Sequence, residues 1–238
     1  MQLDKSAKDP AKIQTMFSTI APRYDLLNRL LSLGIDGCWR RFAISQLPKV
    51  KNAKYLDVAT GTCDVALEIV KRYPGAKVTG VDFSEGMLEL GREKVKKAGC
   101  HDRIDVRFAD VTALPFEDNT FDGVTIAFGI RNVQDYKKGI SEMGRVVKSG
   151  GKVVILEFTS VQNKFFKAPY RFYITKALPF IGEIISGKKG AYKYLPSSML
   201  EFPGPEEFKK AIEETGLKDV RYYKLTFGVT AVHVGTKP

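Results

Sequence analysis

Cysteine and histidine are scarce in this 238-residue chain: Cys38, Cys63 and Cys100 are the only thiols, His101 and His233 the only imidazoles. No pair of cysteines has C-x-x-C spacing and the five residues form no metal-ligand set, which excludes a zinc module or disulfide framework and predicts a reduced, cytoplasmic setting. Long apolar runs are missing too. A bilayer span needs roughly 20 predominantly apolar residues, nothing here approaches that, and residues 1–10 are polar and charged, unlike a secretory leader. The dinucleotide pattern G-x-G-x-x-G is absent, its places reading Ala59, Gly61 and Asp64. Acidic excess is absent as well. The net charge of +11 suits an acidic partner, either nucleic acid or an anionic membrane face, and suits equally a surface that is only solubilising.

What is present begins with Lys54 to Asp64, KYLDVATGTCD, in which an apolar strand meets a small-residue loop and then a helix. This is how α/β proteins bring backbone against a nucleotide-like ligand at the carboxyl edge of a sheet. A second strand, Lys77 to Val81, delivers Asp82 at the distance expected for a ribose diol. A single glycine and a carboxylate at Asp64 would repel a pyrophosphate. S-adenosylmethionine, with a cationic sulfonium, an ammonium group and no phosphate, tolerates Asp57 and Asp64 beside its amino-acid end. The loop alone leaves an ordinary strand-turn-helix corner equally open.

Regular alternation predicts one α/β domain over 1–238, built on parallel strands with right-handed crossovers. The strands expected are Tyr55–Ala59, Lys77–Asp82, Ile104–Ala109, Gly123–Phe128 and Lys152–Phe158, with helices near Val65–Tyr73, Glu85–Ala98 and Tyr136–Val147. Ser84 is the expected N-cap of the second of these, and Ser149-Gly150-Gly151 the turn before the last strand. Ahead of the sheet, residues 1–50 read as a helical cap: Ile13, Met16, Phe17 and Ile20 recur at helical spacing, Pro22 opens a segment through Leu26, Leu27, Leu30 and Leu31, and Trp39–Leu47 forms a further helix. Behind the 54–158 core, residues 164–200 read as an insertion with a long helix, Phe165–Ile185. Residues 205–238 then supply a helix, Pro205–Thr215, and a hairpin of Val220–Phe227 and Val229–Gly235, making seven strands with an antiparallel C-terminal edge.

Ligands of open α/β sheets lie beyond the strands' carboxyl ends. The candidates are therefore Thr60, Gly61 and Thr62, then Asp82 and Phe83, then Asp110 and Val111, then Gly129, Ile130, Arg131 and Asn132. Asp110 suits the exocyclic amine of an adenine, with Val111 and Leu114 on the ring face; it equally suits a cap on the LPFEDNTFD turn. Cys63 sits where a helix amino terminus lowers a thiol pKa, or is simply a tolerated small residue. His101, in a GCHDR turn, reads as exposed.

The segments MFSTIAPRYDLLNRLLSLGIDGCWRR, LDVATGTCDVA, GVDFSEGMLELGREK, LPFEDNTFDGVTIAFGIRNV, GGKVVILEF, YKYLPSSM and TAVHVGTKP span nearly the whole chain. Together they resemble the ubiquinone/menaquinone biosynthesis C-methyltransferases, FGIRNV and YDLLN being the most specific. The resemblance implies a Rossmann-like class I methyltransferase fold and methyl transfer from S-adenosylmethionine to a ring carbon of a prenylated quinol. It also implies cofactor contacts at Thr62, Asp82, Asp110 and Val111, beside Asp57 and Gly61 of the loop. One departure lies in that loop, AGGTGD in the family and ATGTCD here, where Thr60 and Cys63 add side chains at a place of close backbone approach.

Carbon methylation of a quinol calls for a stabilised phenolate held in line with the methyl. Arg131 is the candidate stabiliser, because guanidinium is no base, and Asn132 the candidate for orienting the ring oxygen; a surface Arg-Asn pair is the bland alternative. Tyr24 and Asp25 at a helix start, and His233 in the alternating VHV strand, are candidate bases, although a lone strand histidine is more often packed than catalytic. Lys164–Lys193 interleaves seven aromatics with seven Lys/Arg and one opposing acid, Glu183. That suits peripheral contact with the anionic inner face of the cell membrane, or a lid over the substrate. It would also suit RNA, but the place of an N/D-P-P-Y loop reads Phe128-Gly129-Ile130-Arg131, so no nucleic acid is expected. A cofactor-binding protein without catalysis is the remaining competitor, and a homodimer stays open.

Overall fold

The computed structural model describes residues 13–15, 18–19, 21, 25–26, 28–29, 32–159, 170–177 and 194–238. Tyr24, Pro22, much of the remaining N-terminal cap, and most of 164–193 lie outside the described residues. Within them, strands β1 (Lys54–Val58), β2 (Lys77–Asp82), β3 (Ile104–Phe108), β4 (Phe121–Ala127), β5 (Val147–Phe158), β6 (Lys218–Leu225) and β7 (Thr230–Thr236) form one sheet in the order β3-β2-β1-β4-β5-β7-β6. The first five strands pair in parallel, and β7 runs antiparallel to both its neighbours, β5 and β6. The C-terminal hairpin therefore contributes one reversed strand, wedged inside the edge. Chain order reverses between β1 and β4, which sets the crevice of the sheet there.

Helices α1 (Asp36–Ser45), α2 (Asp64–Arg72), α3 (Glu85–Lys97), α4 (Tyr136–Val146), α5 (Tyr194–Glu201) and α6 (Pro205–Glu213) flank the sheet. Strand alternation divides its side chains between two cores. Tyr55 and Leu156 face Trp39 and Ile44 of α1, Ile69 and Val70 of α2 and Val95 of α3. Leu56 and Ile155 face Ile140 and Met143 of α4 and Phe208 and Ile212 of α6. Each fully buried Leu, Ile or Phe contributes about 1.5–3 kcal/mol, so both faces are needed. In α2 the buried stripe Val65, Ala66, Ile69, Val70 joins an acid in the first turn to Lys71 and Arg72 in the last, a sequence suited to a helix docked on one face.

Three local expectations change. Helix α1 starts at Asp36, whose carboxylate takes Ser32 Oγ at 2.8 Å and Arg40 at 2.6 Å and so fixes the first turn earlier than Trp39. Ser84 has the extended backbone of an N-cap, but its hydroxyl makes no cap bond and instead meets Ser18 Oγ at 3.1 Å. Strand β5 begins at Val147 and runs through the Ser149-Gly150-Gly151 segment, with its register on β4 shifting from Phe121↔Val147 to Gly123↔Lys152. Gly150, at φ +74°, donates to the Lys237 carbonyl and Lys237 N–H donates to Gly151, so the expected turn is tied to the sheet.

Helix α3 packs closely on the loop after β1. A Cβ at Gly91 would stand 2.7 Å from Cys63 Sγ and 3.0 Å from the Gly61 carbonyl oxygen. Gly91→Ala should therefore destabilise the protein by about 1–3 kcal/mol, and adding Cys63→Gly, which removes the sulfur and a side chain at φ +67°, should restore part of the loss. Urea unfolding midpoints check this; equal midpoints for Gly91→Ala and the parent would contradict it.

Candidate active site

Three residues of the loop after β1 take left-handed backbone: Ala59 (φ 51°), Gly61 (φ 54°) and Cys63 (φ 67°). Their strain is held from both sides. Thr60 Oγ1 turns under the loop to donate to Asp57 at 2.6 Å, occupying the space where a Cβ at Gly80 would come within 2.9 Å of it. Cys63 points to Gly91, as described. Both side chains that depart from the family pattern thus face away from the ligand side, and glycines make room for them. Across the crevice, a Cβ on Gly129 would meet Ala59 Cβ at 2.5 Å, so the loops after β1 and β4 touch where glycine allows it.

Between them opens a cavity of about 320 Å³, within the range of small-molecule sites. Gly61, Asp82, Asp110, Val111 and Asn132 line it as expected, together with Phe83, Met87, Phe128, Gly129, Val133, Gln134, Asp135 and Lys138. Asp82 accepts Gly61 N–H at 2.9 Å on one oxygen and Ser84 N–H at 2.9 Å on the other. Burial pushes its carboxyl up to about 6 against those stabilising amides. Asp110 takes both the N–H and the hydroxyl of Thr112 on Oδ1, at 2.8 and 2.9 Å. It is at once a turn cap and a cavity wall, and both readings of it hold. The charged side chains of the lining are Asp82, Asp110 and Asp135 against Lys138. A diphosphate would be repelled there, whereas a cationic sulfonium with a ribose diol and an adenine fits: diol on Asp82, base between Asp110 and Val111.

Several expected residues stand elsewhere. Asp57 does not line the cavity; it lies beneath the loop, its carboxyl raised to about 7 by burial and partly offset by the Thr60 bond. Thr62 donates its hydroxyl to Asp25 at 2.6 Å rather than into the cavity. Asp25 also pairs with Lys94 at 2.6 Å, and Asp64 is neutralised by Lys94 and by Arg40 at 3.2 Å. These acids pin the N-terminal segment over the loop and are not free to meet a cofactor cation. The Cys63 thiol is pushed up to about 12 by burial, the opposite of an activated thiol. His233 is corrected outright as a base. It is 2 % exposed under α6, its Nε2 2.9 Å from the Pro205 carbonyl and its ring against Phe208 and Tyr222, with burial lowering its pKa to about 4.

Arg131 follows β4 as expected but turns away from the cofactor cavity. It is 5 % exposed, and Nη1 donates to the Phe128 carbonyl at 2.6 Å and to Glu157 at 2.7 Å. Glu157, 1 % exposed on β5, also accepts Arg131 N–H at 3.2 Å and Phe158 N–H at 2.8 Å. The guanidinium carbon lies 5.4 Å from the Phe158 ring. Phe158, Phe128 and Trp39 pack ring on ring at 4.7 to 6.2 Å, with Trp39 Nε1 donating to Thr226 at 2.8 Å. Phe128 belongs both to this aromatic group and to the cavity wall, so the two spaces share a partition. Glu157 was missed in the sequence because an acid near the end of an apolar strand gives no signal of its partner.

Strand order and cavity chemistry place the chain among the class I S-adenosylmethionine-dependent methyltransferases. Among solved structures it is similar to an S-adenosylmethionine-dependent methyltransferase of Thermotoga maritima, with a TM-score of 0.67 and 19 % identity, covering 94 % of this chain and 99 % of the other. More narrowly, the chain belongs to the ubiE/COQ5 methyltransferase family, whose model matches residues 4–237. It is 52 % identical over 227 residues to the ubiquinone/menaquinone biosynthesis C-methyltransferase UbiE of Geotalea uraniireducens, covering 95 % of this chain and 96 % of that one. Identity is 50 % over 225 residues with the demethylmenaquinone methyltransferase of Thermus thermophilus, covering 94 % of this chain and all of that one.

Asp82 accepts two ribose hydroxyls only when ionised. With its pKa raised to about 6, affinity for S-adenosylhomocysteine should be level above pH 7 and fall about tenfold per pH unit well below 6. Asp82→Asn should bind weakly with no such pH dependence. Calorimetry from pH 5 to 8 checks this, and a flat profile for the parent protein would contradict the assignment.

Proposed function

We propose that this chain methylates a ring carbon of a prenylated quinol, demethylmenaquinol foremost and a benzoquinol of ubiquinone synthesis as the close variant. The observation that carries this reading is the buried Arg131 cation, fixed by Glu157 among aromatic rings and separated from the cofactor cavity only by Phe128. The names of the relatives, UbiE and demethylmenaquinone methyltransferase, support it.

When bound, S-adenosylmethionine supplies an electrophilic methyl group on sulfur. A quinol hydroxyl near pKa ~10 ionises more readily beside a fixed guanidinium, its proton leaving to water. The phenolate pushes electron density onto the adjacent ring carbon, which bonds the methyl carbon as the C–S pair returns to sulfur. Loss of that carbon's hydrogen as a proton restores the aromatic ring, and the phenolate is reprotonated, so one proton is released overall. Arg131 holds the charge and takes no proton. Asn132, buried in the cavity wall immediately after it, orients the ring oxygen. The aromatic walls hold the ring and exclude water from the developing bond.

A prenylated substrate has to be met at a bilayer. No helix among the described residues is long and apolar enough to cross one. Docking on an anionic surface is supported by the +11 charge and by Leu33, Phe172 and Phe227, which are 81, 67 and 65 % exposed.

With methyl-labelled S-adenosylmethionine and demethylmenaquinol in anionic vesicles, label should enter the lipid extract, and turnover should drop on neutral vesicles. Label in RNA, or in neither, would favour the two competing readings. Arg131→Ala alone would strand Glu157 and cost about 3–5 kcal/mol of stability, so the informative variant is Arg131→Met with Glu157→Gln. It should keep cofactor affinity and lose turnover, since a charge used in the transition state contributes to rate more than to ground-state binding. Wild-type turnover in that variant would contradict the role.

A further inference from the structure

Five side-chain polar atoms of the described residues are buried without a hydrogen-bond partner, and three of them gather near the carboxyl end of β5. Arg131 Nε belongs to the guanidinium that lies 5.4 Å from the Phe158 ring. Thr230 Oγ1 belongs to the residue paired with Phe158 across the β5–β7 ladder. Tyr170 Oη is the third: its ring packs on the same core cluster as Phe158, and its phenol feels the Arg131 charge. An unmade hydrogen bond at a buried donor costs about 1–3 kcal/mol, and folded proteins rarely leave one. Three together at one end of the sheet, beside the partition to the cofactor cavity, mark a place shaped for a ligand's polar atom.

We propose that Tyr170 Oη and Arg131 Nε jointly bind the quinol oxygen next to the methylated carbon, Tyr170 being the second donor of an oxyanion site. The inference rests on the quinol reading above and adds a residue to it. The sense of the donors selects the ligand. Glu157 is consumed by Arg131 Nη1 and two backbone amides, so the place offers N–H and O–H groups and no free carboxylate. An oxygen carrying negative charge is matched there, and an amine is not. Desolvation raises the Tyr170 pKa, with the Arg131 charge opposing, so the phenol stays protonated and donates rather than acting as a base.

Tyr170→Phe removes one oxygen and leaves the ring in place. Loss of one oxyanion donor costs about 10²-fold in kcat, and the variant should show a drop of that order with unchanged affinity for S-adenosylhomocysteine. Because Tyr170 Oη has no partner in the protein, the thermal midpoint should stay level or rise, whereas a structural hydroxyl would lower it. A second readout needs no methyl transfer. In the ternary complex with S-adenosylhomocysteine, 1-naphthol followed by absorbance should ionise at lower pH on the parent protein than on Tyr170→Phe. Parent-like turnover, a reduced midpoint, or the same naphthol titration on both proteins would overturn the proposal. If the parent protein methylates no quinol, the preceding reading fails by itself, and the naphthol titration still decides the donor pair.

Discussion

The Asp82 carboxylate joins two turns that would otherwise be independent. One oxygen holds the Gly61 amide at the tip of the β1 loop and the other holds the Ser84 amide where α3 begins. Because β1 and β2 are neighbours in register, this one side chain fixes the loop against the helix that backs it. The left-handed residues of the loop, the seat of Cys63 on Gly91 and the contact of Ala59 with Gly129 all presuppose that position. The N-terminal segment is set on the same turn, through Gln14 Nε2 to the Phe83 carbonyl at 2.7 Å and Ser18 to Ser84. Holding two carboxyls, Asp57 and Asp82, with raised pKa values costs folding free energy at neutral pH, since the unfolded chain ionises them more readily. Such strain is characteristic of a site kept ready for its ligand.

Electrostatics divides the crevice in two. On the cofactor side three acids oppose one lysine, which suits a cation and rejects phosphates. Beyond Phe128 a single guanidinium is buried among rings, which suits an aromatic oxyanion. Methyl transfer from sulfonium to phenolate carbon requires opposite charges to meet across a short gap. The fold supplies that polarity by placing acids after β2 and β3 and an arginine after β4. Glu157 prevents Arg131 from swinging toward those acids, where the two charges would cancel.

The strand alternation, and the rule that ligands sit past strand ends, made the sheet and Gly61, Asp82, Asp110, Val111 and Asn132 legible before any coordinates. Those residues act through their place in the chain. The misplacements share a different cause. Thr62 has its hydroxyl taken by Asp25, 37 positions away, and Arg131 is steered by Glu157, 26 positions away. Long-range partners of this kind leave no periodic trace. His233 alternates properly for a strand, but alternation names a face and not what covers it; Phe208 and the Pro205 carbonyl of α6 do. The early start of β5 was hidden by Gly150 and Gly151, whose turn chemistry is overridden by pairing with Lys237.

The most direct measurement of the whole account is a crystal structure with S-adenosylhomocysteine and 1-naphthol bound together. The account predicts ribose hydroxyls on Asp82, adenine between Asp110 and Val111, and the naphthol ring beyond Phe128 with its oxygen turned to Arg131. A nucleoside bound away from Asp82, or a naphthol on the side of Phe128 facing Asp110, would contradict it.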